Sequence, residues 1–229
     1  MRSASGGRAP LSHDFAVPLI TRPGLLLRRP AVAPIMGGGG SARRDVIGRA
    51  RPQPWTVDDF LAFEAEEAER YEFVDGIVRM MTGGSAAHSK IKGNLSSALD
   101  AALGDGPCSA YVDDLKVVTA NAVMYPDVLV ICRPLAPDDD RVPDPTVVVE
   151  VLSPTTETHD RIRKWREYQT IATLQHFVLV TQNERRVEVY SRTEAGWEIT
   201  VVEPPEDAVA LKAIGVKLSL EAIYRRSGR

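Results

Sequence analysis

The 229-residue sequence lacks several features that would point directly to a function. Its four histidines show no HxxxH or HExxH spacing, so a zinc site is not expected. It has only two cysteines, Cys108 and Cys132, without CxxC spacing, and we expect both to be reduced thiols in a cytoplasmic protein. No stretch approaches the roughly 18 consecutive apolar residues of a membrane span, so no membrane partner is expected.

Acidic side chains are nearly absent from the first fifty residues. Residues 1–50 contain eight Arg, two Asp and neither Lys nor Glu, which gives a net charge of +6. The rest of the chain carries 20 basic and 29 acidic side chains, a net charge of −9. This acidic body argues against the broad basic surface of a protein that coats nucleic acid.

The basic segment has the composition of an extension. Residues 1–50 contain eight of the 17 Gly and five of the 16 Pro, and such a segment buries too little apolar surface to offset the entropy of ordering. We therefore expect residues 1–50 to be disordered and residues 51–229 to form one domain. The Arg-rich, acid-poor start resembles a transit peptide, and a non-structural extension with Met36 as the actual start is the alternative.

The first part of the domain is predicted to form a helix, a hairpin and a second helix. Thr56 and Asp59 make a capping box for a helix through about Glu69, whose glutamates, Glu64 among them, are expected to be solvated. The Asp75–Gly76 pair between apolar runs predicts a two-residue hairpin turn. Apolar residues spaced three or four apart predict the second helix, namely Ile91, Leu95, Ala98, Leu99 and Ala102.

Strands dominate the remainder of the domain. They are predicted at about residues 109–112, 116–119, 127–132, 146–152, 177–181, 185–191 and 197–202, with helices at about 157–170 and 220–225. The run from Thr146 to Leu152 is β-branched and almost wholly apolar, which indicates a central strand buried on both faces. The order of elements predicts a mixed α/β domain around one sheet.

Two carboxylates interrupt these apolar strands. Glu150 lies inside the run Val147–Leu152, where an isolated charge is too costly, so it must be paired, protonated or metal-bound. Asp127 follows Pro126 at the head of another apolar strand. Each acid alone fits a strand-end cap or a buried ion pair, but two acids that converge at a sheet edge suit Mg²⁺ or Mn²⁺.

The helix after the Glu150 strand carries a run of basic side chains. Asp160 and Lys164 lie four residues apart, which fits a plain ion pair worth about 0.3–0.5 kcal/mol, and such runs are often solvated faces. Because only a short loop separates this helix from the strand, one helix face must pack over Glu150. Lys164 could then reach a bound water or a phosphate.

These residues and their spacing resemble the PD-(D/E)XK nuclease superfamily, and more closely the bacterial "putative restriction endonuclease" family within it. The resemblance covers about residues 55–225. Its motifs are Tyr71–Gly76, His88, Pro126–Val128, Val149–Thr155 and the series Asp160, Lys164, Tyr168. Leu152 stands where the superfamily has its motif lysine, two residues after Glu150, and in the resembled family a lysine on the following helix takes that place. Lys164 matches this replacement.

The resemblance implies a fold and an activity. The fold is α/β, with a restriction-endonuclease-like mixed central sheet flanked by helices, an N-terminal helix-hairpin and additional C-terminal strands. The activity is that of a metal-dependent endonuclease, which uses Mg²⁺ or Mn²⁺ to hydrolyse phosphodiester bonds by attack of a metal-activated water. DNA is the expected partner, and a homodimer is possible.

The resemblance also implies roles for individual residues. Asp127 and Glu150 would hold the metal, with the Val151 carbonyl as a further ligand and Glu72 as the N-terminal acid that completes the site. Lys164 would orient the attacking water or stabilise negative charge on the phosphate. His88 is expected to be either a catalytic histidine or a histidine at the edge of the core. Beside the site, Arg161, Arg163 and Arg166 are expected to contact the nucleic acid.

Two other functions stay open at the level of sequence. A catalytically inactive nuclease-fold module could bind a protein or a nucleic acid, although the presence together of Glu72, Asp127, Glu150 and Lys164 counts against it. A hydrolase of a small phosphoester would need a closed pocket where a nuclease needs an open groove. The sequence does not separate these two shapes.

Overall fold

The structure is a computed structural model that describes residues 54–153 and 160–229, apart from the side chains of residues 160 and 161. The extension predicted at residues 1–50 lies outside the described residues. The described helices are α1 (Val57–Glu64), α2 (Ala86–Leu103), α3 (Trp165–Tyr168) and α4 (Leu220–Tyr224). None of these described helices is long and apolar enough to cross a bilayer.

Thirteen strands are described, and shorter helical turns accompany them. In chain order the strands are β1 (Tyr71–Val74), β2 (Ile77–Met80), β3 (Ser109–Val112), β4 (Lys116–Val118), β5 (Ala122–Met124), β6 (Val128–Ile131), β7 (Arg141–Val142), β8 (Val147–Leu152), β9 (His176–Thr181), β10 (Val187–Thr193), β11 (Gly196–Val202), β12 (Ala208–Leu211) and β13 (Val216–Ser219). A π-helical segment, Asp160–Lys164, leads directly into α3, and a 3₁₀ turn spans Lys212–Ile214.

The strands form three sheets. Five strands pair in the order β2-β1-β5-β4-β7, six pair in the order β11-β10-β9-β8-β6-β3, and β12 pairs with β13. The mixed α/β class is confirmed, but the expectation of one sheet was wrong. The chain leaves the five-stranded sheet at Met124 and enters the six-stranded sheet at Val128, a change of partner that the apolar pattern of each strand does not encode.

The two large sheets pack on each other, with α1 and α2 on their outer faces and Tyr168 of α3 in the layer between them. Val148 and Leu179 of the six-stranded sheet share a buried cluster with Met124 of the five-stranded sheet. Ile91 of α2 packs on the opposite face of the six-stranded sheet, and Phe60 of α1 packs on the opposite face of the five-stranded sheet. Since side chains alternate along a strand, Glu150, two residues after Val148, also faces the layer between the sheets.

The predicted start of the domain is confirmed, and the length of its first helix is corrected. The Thr56 hydroxyl accepts from the Asp59 N–H at 3.1 Å, which completes the capping box of α1. The helix ends at Glu64, five residues earlier than expected. The hairpin turn is as predicted, with φ of +52° at Asp75 and +78° at Gly76, the left-handed values that such a turn requires.

Four strands escaped prediction because they are short. β5, β7, β12 and β13 contain two to four residues each, too few to show an alternating pattern. Of the helix predicted at residues 157–170, residues 157–159 lie outside the described residues, and the rest forms the π-helical segment and α3.

The expectation of two reduced thiols was wrong. Cys108 and Cys132 form a disulfide with a Cα–Cα distance of 3.8 Å. β3 and β6 pair antiparallel with Ser109 opposite Ile131, so the residues just outside this pair face each other. Only the register of the two strands, which sequence spacing does not reveal, brings these cysteines together.

Candidate active site

The two carboxylates singled out in the sequence lie side by side on neighbouring strands. β6 and β8 pair antiparallel with Val128 opposite Val149, and one further step along this register sets Asp127 opposite Glu150. The Val151 N–H donates to Asp127 Oδ2 at 2.7 Å, which joins the head of β6 to the end of β8. Strand pairing therefore sets the two acidic residues opposite each other, and the convergence of their carboxylates on one cation stays a prediction.

Glu150 is compensated inside the protein by a cation and a phenol. It is only 3% exposed, and its Oε1 accepts from Lys164 Nζ at 3.1 Å and from the Tyr168 hydroxyl at 2.8 Å. Burial raises the pKa of Tyr168 well above its usual value, and the Glu150 charge adds to this effect, so the phenol keeps its proton as a donor. A buried charge with two such partners avoids the cost of an isolated carboxylate.

Glu72 binds the same lysine from the other sheet. Lys164 Nζ lies 2.7 Å from Glu72 Oε1, and this oxygen also accepts from the Tyr125 N–H at 3.0 Å. Glu72 belongs to β1 of the five-stranded sheet, whereas Glu150 belongs to β8 of the six-stranded sheet. Lys164 therefore links the two sheets at the point where the chain crosses between them.

Asp127 is approached by two residues of α2. His88 Nε2 lies 3.3 Å from Asp127 Oδ2, and Lys92 Nζ lies 3.6 Å from Asp127 Oδ1. His88 and Lys92 are one helical turn apart and so share a face of α2. His88 Nδ1 is buried without a hydrogen-bond partner among the described residues, which is unusual for a histidine that serves only packing.

The donor chemistry of this site fits a hard divalent cation. Asp127 and Glu150 supply carboxylate oxygens on adjacent strands, and within the described residues Asp127 Oδ1 accepts no hydrogen bond. Oxygen ligands of this kind suit Mg²⁺ or Mn²⁺. Within the described ranges, no group of three or more His, Cys, Asp or Glu side chains is arranged to hold a metal. Glu72, the predicted third acid of the site, contacts Lys164.

Of the three arginines predicted to contact nucleic acid, the structure describes the side chains of two, which differ in exposure. Arg166 is exposed on α3. Arg163 is half-buried, and its buried Nη1 has no hydrogen-bond partner in the described part of the chain. The side chain of Arg161 lies outside the described side chains. The same holds for Asp160, the expected ion-pair partner of Lys164.

Four residues around the site were not assigned a role from sequence. Lys92 and Tyr168 follow His88 and Lys164 by four residues, and this helical spacing is the signal that could have identified them. Tyr125 and Glu64 had no such signal. Glu64 was expected to be solvated, but its side chain is 8% exposed and accepts from the Tyr125 hydroxyl at 2.6 Å and from Lys116 at 3.0 Å.

Glu64 corrects the interpretation of the acidic helix. Because α1 ends at Glu64 and packs on the five-stranded sheet, this side chain turns inward while its sequence neighbours face solvent. Burial and the Glu64 carboxylate raise the pKa of Tyr125 to about 12, so this phenol is a donor at neutral pH. The contact fixes the backbone just before Asp127.

Known proteins resemble the chain over the region that contains this site. Residues 57–222 match the Uma2 family, described as "Putative restriction endonuclease". Two proteins of Synechocystis sp. are similar: slr1290 is 34% identical over 73% of this chain and 90% of its own length, and sll1609 is 32% identical over 63% and 85%. Neither name states an activity.

A solved structure has the same fold. It is described as a putative nuclease belonging to DUF820 from Anabaena variabilis, with a TM-score of 0.61 and 20% sequence identity. The match covers 75% of this chain and 98% of the other. At this identity the likeness establishes the architecture, and the site must be argued from its own geometry.

Proposed function

The chain belongs to the Uma2 family of putative restriction endonucleases, and from this membership we propose that it is a metal-dependent endonuclease acting on DNA. The observation that carries the proposal is the pairing of Asp127 with Glu150 on adjacent strands, with the buried Lys164 amine on Glu150. A carboxylate pair beside an ammonium group is suited to a reaction in which negative charge builds on a phosphate.

Each residue of the site has a distinct task in this proposal. Asp127 and Glu150 would hold Mg²⁺ or Mn²⁺, and the Val151 carbonyl would be a further ligand. The cation would lower the pKa of a bound water and neutralise charge on the phosphate oxygens. Lys164 holds the Glu150 carboxylate in place, and its positive charge would orient the attacking water or stabilise negative charge on the phosphate.

The remaining residues position this set. Glu72 holds Lys164 from the five-stranded sheet, and Tyr168 donates to the Glu150 oxygen that also binds Lys164. His88 Nε2 would donate a hydrogen bond to Asp127 Oδ2, which lies 3.3 Å away, and a histidine at this position would be able to transfer a proton during hydrolysis. Glu72 as a third metal ligand stays a prediction, since its carboxylate is bound to Lys164 in the described arrangement.

A second candidate is a nuclease-fold module without catalytic activity. Two observations favour it: Lys164 already compensates Glu72 and Glu150, and the described residues include no cluster of three metal-binding side chains. In such a module the buried ions would only link the two sheets. A metal-binding measurement separates the two functions without relying on activity.

The test of nuclease function combines cleavage with metal binding. The full chain is incubated with supercoiled plasmid and Mg²⁺ or Mn²⁺, and Mn²⁺ binding is followed by calorimetry. We expect metal-dependent cleavage that falls at least about 100-fold in Asp127→Asn, since removal of a metal ligand also removes charge stabilisation. Mn²⁺ binding is expected to weaken in the same variant.

Asp100→Asn is the matched control, because Asp100 is exposed on α2 and the substitution changes the charge equally. It is expected to cleave and bind metal like the parent protein. Absence of cleavage by the parent, or equal cleavage by parent and Asp127→Asn, would reject the nuclease. Unchanged Mn²⁺ binding in Asp127→Asn would favour the module without catalytic activity.

A further inference from the structure

Two cations close to Asp127 are held by one acidic turn. The turn, Asp113–Asp114, follows β3. Lys92 Nζ lies 2.6 Å from Asp113 Oδ1. Arg70 donates from Nη1 to the Asp113 carbonyl at 3.0 Å and from Nη2 to Asp114 Oδ1 at 2.6 Å. Neither cation was singled out from the sequence.

This cluster adjoins the proposed catalytic carboxylates. Lys92 Nζ is 3.6 Å from Asp127 Oδ1, and the Asp113 N–H donates to the Asp127 carbonyl at 3.3 Å. A nucleic-acid strand with one phosphate at Asp127 would therefore bring a neighbouring phosphate close to Arg70 and Lys92. The position of the cations suits the substrate of the proposed reaction.

The contacts inside the cluster are of a kind that an anion can replace. The side chains of Arg70 and Asp114 are 50% and 77% exposed, and that of Asp113 is 45% exposed, while that of its partner Lys92 is 18% exposed. An exposed ion pair such as Arg70–Asp114 contributes little to stability, so its exchange for another anion is inexpensive. Phosphate oxygens accept the same hydrogen bonds from guanidinium and ammonium groups as carboxylate oxygens do.

The backbone of the turn also distinguishes it from an ordinary surface loop. Asp113 has a φ of +62°, a left-handed conformation that non-glycine residues rarely adopt and that aspartate and asparagine tolerate best. In this conformation the Asp113 carboxylate contacts Lys92 while its carbonyl contacts Arg70. Asp113 thus binds both Lys92 and Arg70.

We propose that Arg70 and Lys92 form a binding site for a phosphate of the nucleic-acid backbone, and that the Asp113–Asp114 turn fills this site as an anion surrogate when no nucleic acid is bound. The inference rests on the proposed function, because it takes nucleic acid as the substrate. It reconciles a net charge of −9 with a polyanionic substrate, because an incoming phosphate would displace two of these acids from the cations and expose a local basic site.

The test measures binding of a fluorescein-labelled DNA duplex to the full chain in EDTA, so that no cleavage occurs. The variant Asp113→Asn/Asp114→Asn removes both competing charges, and asparagine tolerates the left-handed φ of position 113. We expect affinity to rise about tenfold, because the phosphate no longer has to displace a carboxylate. Fluorescence anisotropy provides the dissociation constant.

The matched control is Asp105→Asn/Asp138→Asn, which changes the charge equally at two exposed acids with no ion pair among the described residues. Asp105 follows α2, at the opposite end of the helix from Lys92. The control is expected to raise affinity by less than about twofold, the general effect of net charge. Equal affinities of the two double variants, or no binding by either, would overturn the proposal.

A converse variant tests the cations themselves. Lys92→Gln is expected to weaken duplex binding and to reduce the slope of log Kd against log salt by about 0.9, the effect of one phosphate contact. An unchanged slope in folded protein contradicts the assignment of Lys92. If Lys92→Gln fails to fold by thermal unfolding, the paired asparagine variants still decide the question.

Parallel cleavage assays with Mg²⁺ separate this proposal from the proposed function. If the parent cleaves DNA but the asparagine pair binds no tighter than its control, the phosphate site is wrong and the nuclease stands. If the asparagine pair binds tighter but the parent does not cleave, the phosphate site stands and the nuclease is wrong.

Discussion

At the scale of single residues, Lys164 shows how an ion that is costly to bury becomes the centre of a site. Its side chain is 6% exposed and lies against two carboxylates, one from each large sheet. Removing one partner of such a buried set leaves an uncompensated charge, which is strongly destabilising. In the proposed function, the same contacts would hold Glu150 in place as a metal ligand.

His176 is a buried histidine outside the candidate active site. It is 3% exposed, its Nε2 accepts from the Ala213 N–H at 3.1 Å, and its Nδ1 lies 3.0 Å from the Ser191 hydroxyl. Because Nε2 is an acceptor, the ring is neutral with its proton on Nδ1. Burial, together with the charge of Lys212, lowers the pKa of His176 to about 4.

This histidine predicts how stability depends on pH. The unfolded chain binds a proton at His176 near pH 6.5, well before the folded protein does, so stability should fall as the pH drops from about 6.5 towards 4. The uptake of one proton changes the free energy of unfolding by at most about 1.4 kcal/mol per pH unit. Urea unfolding between pH 7 and 5, above the range of ordinary carboxyl groups, measures this slope.

The variant His176→Gln has no titrating group at this position and is the comparison for that measurement. Its free energy of unfolding should change less between pH 7 and 5 than that of the parent protein. Parallel curves for the two proteins would show that His176 does not titrate as its surroundings predict.

At the scale of elements, the site depends on the alignment of β6 with β8. A shift of this register by one residue would turn Glu150 away from the layer between the sheets and separate it from Asp127. The apolar run of β8 is buried on both faces along all six residues, as the sequence predicted. Burial of β8 makes the Glu150 charge costly, and the same burial fixes the register of β8 with β6 that sets Glu150 opposite Asp127.

The disulfide stabilises the other end of β6. It joins Cys108, just before the edge strand β3, to Cys132, just after β6, across a sequence separation of 24 residues. A loop of this length corresponds to about 3 kcal/mol of lost entropy in the unfolded chain. We therefore expect dithiothreitol to lower the melting temperature of the parent protein by several degrees.

The double variant Cys108→Ser/Cys132→Ser provides the control for reduction. It should melt at the temperature of the reduced parent and should not respond to dithiothreitol. A parent protein that melts at the same temperature with and without the reductant would contradict a stabilising role of the disulfide.

At the scale of the whole molecule, the charge of the sequence changes sign at about residue 50. The described cores lie within the acidic part, residues 51–229, which carries a net charge of −9. The cations near the site, Lys92 and Arg70, lie within this acidic body. In the proposed function, nucleic acid would therefore contact a narrow basic strip and not the whole surface.

A chain shortened to residues 51–229 tests this division. We expect it to melt at the temperature of the full chain, because the Gly- and Pro-rich composition of residues 1–50 predicts a segment that buries too little apolar surface to add to the core. Its metal-dependent DNA cleavage at saturating substrate is also expected to be unchanged. Differential scanning calorimetry and plasmid cleavage measure the two quantities, and a clearly lower melting temperature would show that the first fifty residues contribute to folding.

The sequence alone determined the elements with strong local signals. The Thr56 capping box, the Asp75–Gly76 turn and the buried strand that contains Glu150 depend on neighbouring residues, which constrain the backbone directly. The cost of burying a carboxylate likewise distinguishes Glu150 and Asp127 from the apolar residues that surround them in the sequence.

Only the tertiary structure decided which of these residues meet. Sequence spacing does not encode strand register, so it could not show Asp127 opposite Glu150 or the disulfide between Cys108 and Cys132. Nor could it place Lys164 between two sheets or bring the Asp113–Asp114 turn to Lys92. Contacts between residues far apart in the chain depend on how the sheets pair and pack, and the local pattern of each strand is compatible with several such arrangements.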